Sequence, residues 1–437
     1  MTNKITVIGA GLAGCECAYQ LLKRGYSVDL YEMRPVKGTP VHKTGMFAEL
    51  VCSNSLKSDD PCTVQGLLKK ELRTLDCMTL RAAEQTKVPA GGALAVDRTE
   101  FSKAVEKELA EYENLNVIRE EATEIPDEEG FVVVATGPLT EGKFAESVAK
   151  VTGESELHFY DAVAPIVTAE SVDKNKSFFA GRYGKGDDYL NCPMNKEEYV
   201  AFCSELANAE TVILKDFENK DVFNACMPIE IMAKRGEDCM RFGPLRPVGI
   251  YDPETGKRPY AVVQLRKEDN YDSLYNLVGF QTNLKFGEQE RVFGMIPALN
   301  DAEFVRYGVM HRNTFLNAPK TLNADFSCKN NEKLFFAGQI SGVEGYVESV
   351  MSGLMCAINI DREIRGKKRV LPPETTATGS LMRYIAAQNS DFQPMHVSYS
   401  LMPTLENPER DKKKRKEQYS RRAVAAMEEF AETILKE

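Results

Sequence analysis

The chain has no tryptophan and only four histidines among its 437 residues. Its eleven cysteines are an odd number, scattered with no C-x-x-C pair and no zinc spacing. Cys15 and Cys17 are two apart on an expected helix, so they face different ways and cannot chelate together. With no His/Cys cluster, no metal site is expected, and in a reducing compartment most of these thiols read as small buried apolar groups. Long apolar runs are missing too: none approaches the roughly 20 residues of a membrane span. Met1 leads through a few polar residues into a β-branched run, a pattern that fits no signal peptide. A cytoplasmic protein with no membrane partner is the expectation.

Positive charge is the last shortage. Lys and Arg total 55 against 65 Asp and Glu, a formal net charge of −10. That excludes a surface uniformly coated for nucleic acid, but it leaves room for a local basic patch. Hydrophobic content of 43% and charged content of 27% are ordinary for a globular enzyme. The length allows two or three domains.

What is present is concentrated in the first 32 residues. Lys4–Ile8 reads as a buried strand and runs into Gly9-Ala10-Gly11-Leu12-Ala13-Gly14. Cys15–Arg24 reads as a helix closed by Gly25, and a second strand, Ser27–Tyr31, ends on Glu32. This is strand, G-x-G-x-x-G, helix, strand and acid in order. Gly9 allows the tight turn, Gly11 lets the backbone approach a pyrophosphate, and Gly14 lets helix and strand pack closely. The helix N-terminus then faces the phosphates, and Glu32 stands where a carboxylate bonds the adenosine ribose. A dinucleotide site follows; FAD and NAD both fit this motif.

Further along, Met33–Asp60 reads as loop, Gln65–Leu75 and Asp97–Glu111 as helices, and Asn116–Arg119 as a strand. Phe131–Pro138 is a buried β run ending in Ala-Thr-Gly137, with a helix expected over Leu139–Val151. Between Ala164 and Asn300 turn signals multiply, with strands such as Tyr260–Leu265 and a helix over Lys196–Leu206. The nucleotide pattern resumes with Leu334–Gly338, then Gln339 to Gly345, then a helix over Val347–Ile360. A second strand–glycine–helix unit, which FAD requires and NAD does not, moves the expectation to FAD. No second G-x-G-x-x-G follows a strand, so any NADPH or NADH must reach the flavin without a dedicated domain. The fold class is α/β: a Rossmann-like FAD-binding domain of glutathione-reductase type, 1–163 and 301–437, with an inserted α+β domain, 164–300. Leu371–Gly379 reads as a linker. The run Lys412-Lys413-Lys414-Arg415-Lys416, with Arg421 and Arg422, opens a terminal helix; it suits a solvated face or a phosphate-contacting patch.

Several unusual strings resemble one family: Glu49–Leu56, Tyr183–Gly186 with Asp188–Pro193, Cys226-Met227-Pro228-Ile229-Glu230, Phe242–Gly249, Asn276–Lys285, Arg306–Gly308 with His311–Thr314, and Gly338–Ser349. The family is that of the folate- and FAD-dependent tRNA (uracil-5-)-methyltransferases, TrmFO, and the likeness runs from the N-terminus to about residue 365. It implies methylation at carbon 5 of the T-loop uridine of tRNA. The carbon comes from 5,10-methylenetetrahydrofolate, and FAD is reduced by NAD(P)H. The GidA-type enzymes of wobble uridine share the FAD fold and are the nearest alternative, ahead of a small-molecule flavin oxidoreductase.

The chemistry fits this implication. Carbon 5 of uracil becomes reactive when a thiolate adds to carbon 6, and cysteine is the natural nucleophile near neutral pH. By resemblance Cys226, kept out of a helix by the nearby Pro228, is that nucleophile, and Cys52, in a Ser/Asn-rich loop on the flavin side, assists in proton removal or in guarding the reactive adduct. Lys57 and Arg246 suit a thiol partner, a phosphate contact or a plain surface ion pair. Tyr183, Lys185 and Tyr189 suit base stacking or a phosphate clamp. His311, Arg312 and Asn313 suit the wall of the folate and uridine pocket.

Overall fold

The computed structural model describes residues 4–436 except 40, 128–129, 154–156, 163, 185, 213–226, 237, 270–271 and 390–391; side chains at 4, 157–162, 311–312 and 435–436 are also outside the described set. Two six-stranded sheets organise the chain. The first runs, edge to edge, through Ser327–Cys328, Asn331–Phe336, Phe131–Val134, Lys4–Ile8, Ser27–Tyr31 and Leu115–Ile118. All pairings are parallel except that of the short edge strand Ser327–Cys328. Ile5, Val7, Val133, Leu334 and Phe335 are fully buried, as apolar strands covered on both faces must be.

The second sheet is antiparallel throughout: Phe178–Phe179, Tyr189–Met194, Ala261–Lys267, Leu274–Leu277, Ile166–Thr168 and Phe304–Arg306. The helices Lys196–Asn208 and Phe286–Phe293 pack on it around a separate apolar core that includes Tyr199, Phe202, Phe280 and Phe293. Asn195 begins the first of these with a reciprocal capping box to Glu198. The strand Phe304–Arg306 lies past residue 300 yet pairs with Ile166–Thr168. Leu157–Ala162 and Met310–Phe315 pair with each other as an antiparallel ribbon, the two passages of the chain between the sheets.

Among the described residues no helix is long and apolar enough to cross a membrane. Nor does any group of three or more His, Cys, Asp or Glu among them gather as a metal site would need.

Two local readings change. The first helix starts at Leu12 rather than Cys15, so it rises directly from the glycine turn. The stretch Leu371–Gly379 is not all linker, because a helix, Ala377–Ala386, begins inside it. Thr376 caps that helix through Gly379 N–H, and the buried Glu71 carboxylate accepts from the Ala377 and Thr378 N–H groups at 2.7 and 2.8 Å. The capping acid comes from 306 residues away in the chain, so no local pattern could announce it. Replacing Glu71 by Ala strands those two buried donors and is expected to lower unfolding free energy by about 1–3 kcal/mol. Urea denaturation checks this, and an unchanged midpoint would contradict the capping role.

Candidate active site

The carboxyl ends of three adjacent strands, at Ile8, Val134 and Phe336, open onto one crevice, the usual ligand position of such sheets. Gly9 has φ +105°, and a Cβ there would lie 2.5 Å from the Ala135 carbonyl oxygen. A Cβ at Gly14 would lie 1.8 Å from the Gly9 oxygen, so the helix starts against the turn with no room for a side chain. Gly11 and Gly137, in contrast, have open space where a Cβ would point. Two glycines forced by packing and two beside empty volume are what a pyrophosphate cradle needs. The helix Tyr346–Ile364 crosses the start of the first helix closely enough that a Cβ at Gly353 would fall 2.1 Å from the Ala13 oxygen. Gly338 sits against Ala13, Gly345 precedes the crossing helix, and Gln339 donates to Glu344 at 2.7 Å. Leu12 and Ala13 are buried in the same contact.

Glu32 is only 6% exposed. Its Oε2 accepts the Ala10 N–H at 3.1 Å, and Arg34 donates to both oxygens, through Nε at 2.8 Å and Nη2 at 3.1 Å. Arg34 also bridges to Glu49 at 3.0 Å. Burial alone would raise the Glu32 pKa, but the Arg34 charge and hydrogen bonds outweigh it and hold the carboxyl below its ordinary 4.5. The acid is therefore fixed as an anion beside the glycine turn.

Cys52 lies half-buried in the loop Leu50–Asn54, and that loop is held from several directions. Tyr346, at the start of the crossing helix, accepts the Cys52 and Ser53 N–H groups on its hydroxyl at 2.8 and 3.1 Å. Arg98 donates to the Leu50 carbonyl at 2.7 Å, and Arg306 donates to the Val51 carbonyl. From the second sheet, Arg266 reaches Asn54 Oδ1 at 2.8 Å and Ser53 Oγ at 2.7 Å. Asn54 returns bonds to the carbonyls of Val96 and Lys267 at 3.1 and 2.9 Å. The Cys52 loop is thus the seam between crevice and second sheet.

The other residues read from sequence fall in two groups. Tyr183 and Arg246 come together on one edge of the second sheet. Arg182 donates to the carbonyls of Arg246 and Val248 at 2.8 and 2.9 Å, and Tyr183 N–H to Gly249 at 2.7 Å. Tyr183 has φ +60° and is 68% exposed, and its ring lies over Gly249, where a Cβ would meet it at 3.0 Å. Phe242 and Tyr251, on the same segment, are also exposed. His311, Arg312 and Asn313 lie in the strand Met310–Phe315; Asn313 is buried, and the next residue's N–H bonds the Pro138 carbonyl at 2.7 Å, beside Gly137. Tyr189 is directed elsewhere, with its hydroxyl on the Ala90 carbonyl at 3.2 Å. Lys57 is exposed. Cys226 and Lys185 lie outside the described residues. The segment after Cys226 is anchored: Ile229 N–H bonds the Gln281 carbonyl at 2.8 Å, and buried Glu230 takes Thr282 Oγ1 and Asn283 N–H, both at 2.8 Å.

Residues 4–368 match the family model described as Glucose inhibited division protein A. The chain is 54% identical over 432 residues to the methylenetetrahydrofolate--tRNA-(uracil-5-)-methyltransferase TrmFO of Acetivibrio thermocellus, covering 98% of this chain and 99% of that one. It is 56% identical over 430 residues to the protein of the same name from Desulfitobacterium hafniense, with 98% of each covered. The chain belongs to the TrmFO family. Its fold is also that of Aquifex aeolicus GidA, with a TM-score of 0.71 at 14% identity over 99% of this chain and 73% of that one. A second crystal form of the same protein gives 0.69, over 99% and 76%.

Within this TrmFO chain, sequence reasoning missed Arg34, Arg98, Arg266, Arg306 and Tyr346 as site residues. Arg306 and Tyr346 stand inside strings that carried the resemblance, so they could have been singled out. Arg98 looked like an ordinary residue at the start of the helix read over Asp97–Glu111, and Arg266 falls just past the strand read over Tyr260–Leu265, which in the structure runs on to Lys267. Arg34 offers a test with a sign. In the wild type, Glu32 contributes stability above its ordinary pKa, and that contribution is lost as pH falls through its lowered value. Arg34→Met leaves a buried carboxylate unpaired, which costs about 3–5 kcal/mol at neutral pH. The deficit is expected to shrink towards about pH 5, where protonation relieves the unpaired charge. Urea unfolding at both pH values measures it; a deficit independent of pH would contradict the ion-pair account.

Proposed function

We propose that this chain methylates carbon 5 of the T-loop uridine of tRNA. The donor is 5,10-methylenetetrahydrofolate and the reductant NADPH or NADH. One observation carries the reading: a cysteine loop is fixed at the junction of a glycine-lined crevice and a second sheet with exposed aromatics. A flavoprotein that only bound RNA has no use for a thiol held there.

Gly9–Gly14, Glu32, Gly137, Gly338, Gln339 and Gly345 fit the two halves of FAD. When bound and reduced, FAD supplies the hydride that converts a methylene group to methyl. The protein's own part is thiol chemistry. The Cys226 sulfur adds to carbon 6 of uracil, and the electron pair moves into the ring as an enolate that makes carbon 5 nucleophilic. Once carbon 5 carries the one-carbon unit, Cys52 takes its proton: the C5–H bond breaks, the pair enters the ring and the proton ends on sulfur. That pair expels the donor nitrogen, releasing tetrahydrofolate and leaving a methylene group on carbon 5; once this methylene has taken a hydride, the enolate so formed restores the carbon 5–carbon 6 double bond and Cys226 leaves as thiolate. His311, Arg312 and Asn313 line the pocket for folate and uracil. Tyr183 and Arg246, with Phe242 beside them, stack and clamp the loop nucleotides. Lys412–Lys416 and Arg421 bind tRNA phosphates, concentrating positive charge on an acidic protein, whereas Arg422 is engaged within the chain by the Pro403 and Thr404 carbonyls at 2.6 and 3.1 Å. A tRNA substrate accords with a cytoplasmic protein.

The deciding assay is unmodified tRNA with methylenetetrahydrofolate and NAD(P)H, read by nucleoside mass spectrometry. Formation of 5-methyluridine is expected, with turnover lost in Cys226→Ala and in Cys52→Ala. Absence of the product with a reducible flavin would end the reading, and turnover in either variant would remove that cysteine's role. Changing Lys412–Lys416 to Ala is expected to weaken tRNA binding and flatten its salt dependence by about one unit of slope for each phosphate no longer neutralised. Binding titrations at several salt concentrations check this, and an unchanged slope would return the run to a solvated helix face.

A further inference from the structure

Four charged side chains from three separate stretches gather behind the Cys52 loop. Arg98 is the first residue of the helix Arg98–Ala110, Arg266 lies in the strand Ala261–Lys267, Glu268 follows it, and Arg306 ends the strand Phe304–Arg306. Arg266 and Glu268 are 7% and 4% exposed. One carboxylate faces three guanidinium groups, so the cluster is positive. The guanidinium hydrogen bonds go mainly to neutral acceptors of the loop, the carbonyls of Leu50 and Val51 and the oxygens of Ser53 and Asn54. Hydrogen-bond capacity is used, but charge is not matched.

The Arg98–Glu268 pair is itself incomplete. Nε meets Oε2 at 2.6 Å, while Arg98 Nη2 and Glu268 Oε1 are buried and have no partner among the described residues. An Arg–carboxylate pair in the two-point arrangement would use both. Turned as it is, Arg98 directs Nη1 to the Leu50 carbonyl and stays within electrostatic reach of the Cys52 sulfur, as does Arg306. The Tyr346 hydroxyl, which holds the Cys52 N–H, is kept neutral by burial first and by the neighbouring Cys52 second. Arg306 is weakened as a cation by burial and by the Arg98 charge, and an anion beside it would relieve both. A buried positive cluster short of counter-charge stabilises an anion at an acidic group beside it, and Cys52 is the thiol on the loop that the cluster holds.

We infer that Arg98 and Arg306 hold Cys52 as a thiolate in the resting protein, and that Glu268 is a positioning residue that orients Arg98 for this purpose. The inference rests on Cys52 being the base that takes the carbon 5 proton, and it gives that base its charge in advance. The proton taken up during turnover passes to water, restoring the thiolate.

The test is the pH dependence of Cys52 alkylation by iodoacetamide in the flavin-loaded protein, followed by mass spectrometry of the Cys52 peptide. In the wild type the rate is expected to rise with a midpoint well below the ordinary thiol value of about 8.5. A midpoint at or above that value overturns the inference without any variant. Arg306→Met is expected to move the midpoint up by about one unit, a roughly tenfold slower reaction near neutral pH, while Arg306→Lys restores most of it. An unmoved midpoint in Arg306→Met with full flavin content also overturns it. Glu268 separates orientation from charge. Removing a nearby negative charge alone would lower the thiol midpoint, whereas loss of Arg98 orientation raises it. Glu268→Leu is therefore expected to raise the midpoint and Glu268→Gln, which keeps an acceptor, not to; a lowered midpoint in Glu268→Leu refutes the positioning role. Methylation retained in Cys52→Ala would instead remove the catalytic role of Cys52 and leave its ionisation standing.

Discussion

The Leu50–Asn54 loop lies outside the strand ladders, with the Asn54 carbonyl taking the Val96 N–H at 2.9 Å, and the site depends on how its other backbone groups are satisfied. Backbone donors and acceptors that leave water need replacements. Here they come from side chains: a tyrosine hydroxyl for two N–H groups and guanidinium groups for two carbonyls. Those side chains belong to the second sheet, the helix Arg98–Ala110 and the crossing helix, so the position of Cys52 is inherited from three separate elements. The arginine fork suits this work because its donors are rigid and always charged. Charge and geometry arrive together.

The cofactor crevice rests on a different principle, exclusion rather than attraction. At Gly9, Gly14 and Gly353 backbone meets backbone at distances no Cβ tolerates, and this close packing leaves the space beside Gly11 and Gly137 open. Glu32 adds a fixed negative charge at the rim, stabilised by Arg34 instead of by exposure to water. The same economy of charge recurs across the molecule. A chain of net charge −10 buries arginines where they serve a local purpose and leaves its densest basic run, Lys412–Lys416, at the surface.

Much of this was legible in the sequence because its signals are local. Gly9–Gly14 and Glu32 announce themselves by spacing, and the observed strands Lys4–Ile8 and Ser27–Tyr31 fall where the apolar runs put them. Asp97 likewise caps Arg98–Ala110 through the Thr99 and Glu100 N–H groups, as its position before the helix implied. What escaped is non-local. Glu71 caps a helix at Ala377, Arg266 bonds Ser53, and Arg98 pairs with Glu268, each across a sequence gap that no pattern bridges. Cysteine spacing could not rank Cys52 above its fellows, because its distinction lies in which arginines surround it.

The antiparallel ribbon of Leu157–Ala162 and Met310–Phe315 gives the molecule a mechanical character. Two hydrogen-bonded strands side by side bend readily across their flat face but resist shear and bending within their own plane. A sheet joined to the rest of the chain through such a strap has one soft direction, like a page on a spine. Arg266 and Arg306 reach the cysteine loop from that sheet, so the setting of Cys52 is tied to where the sheet sits.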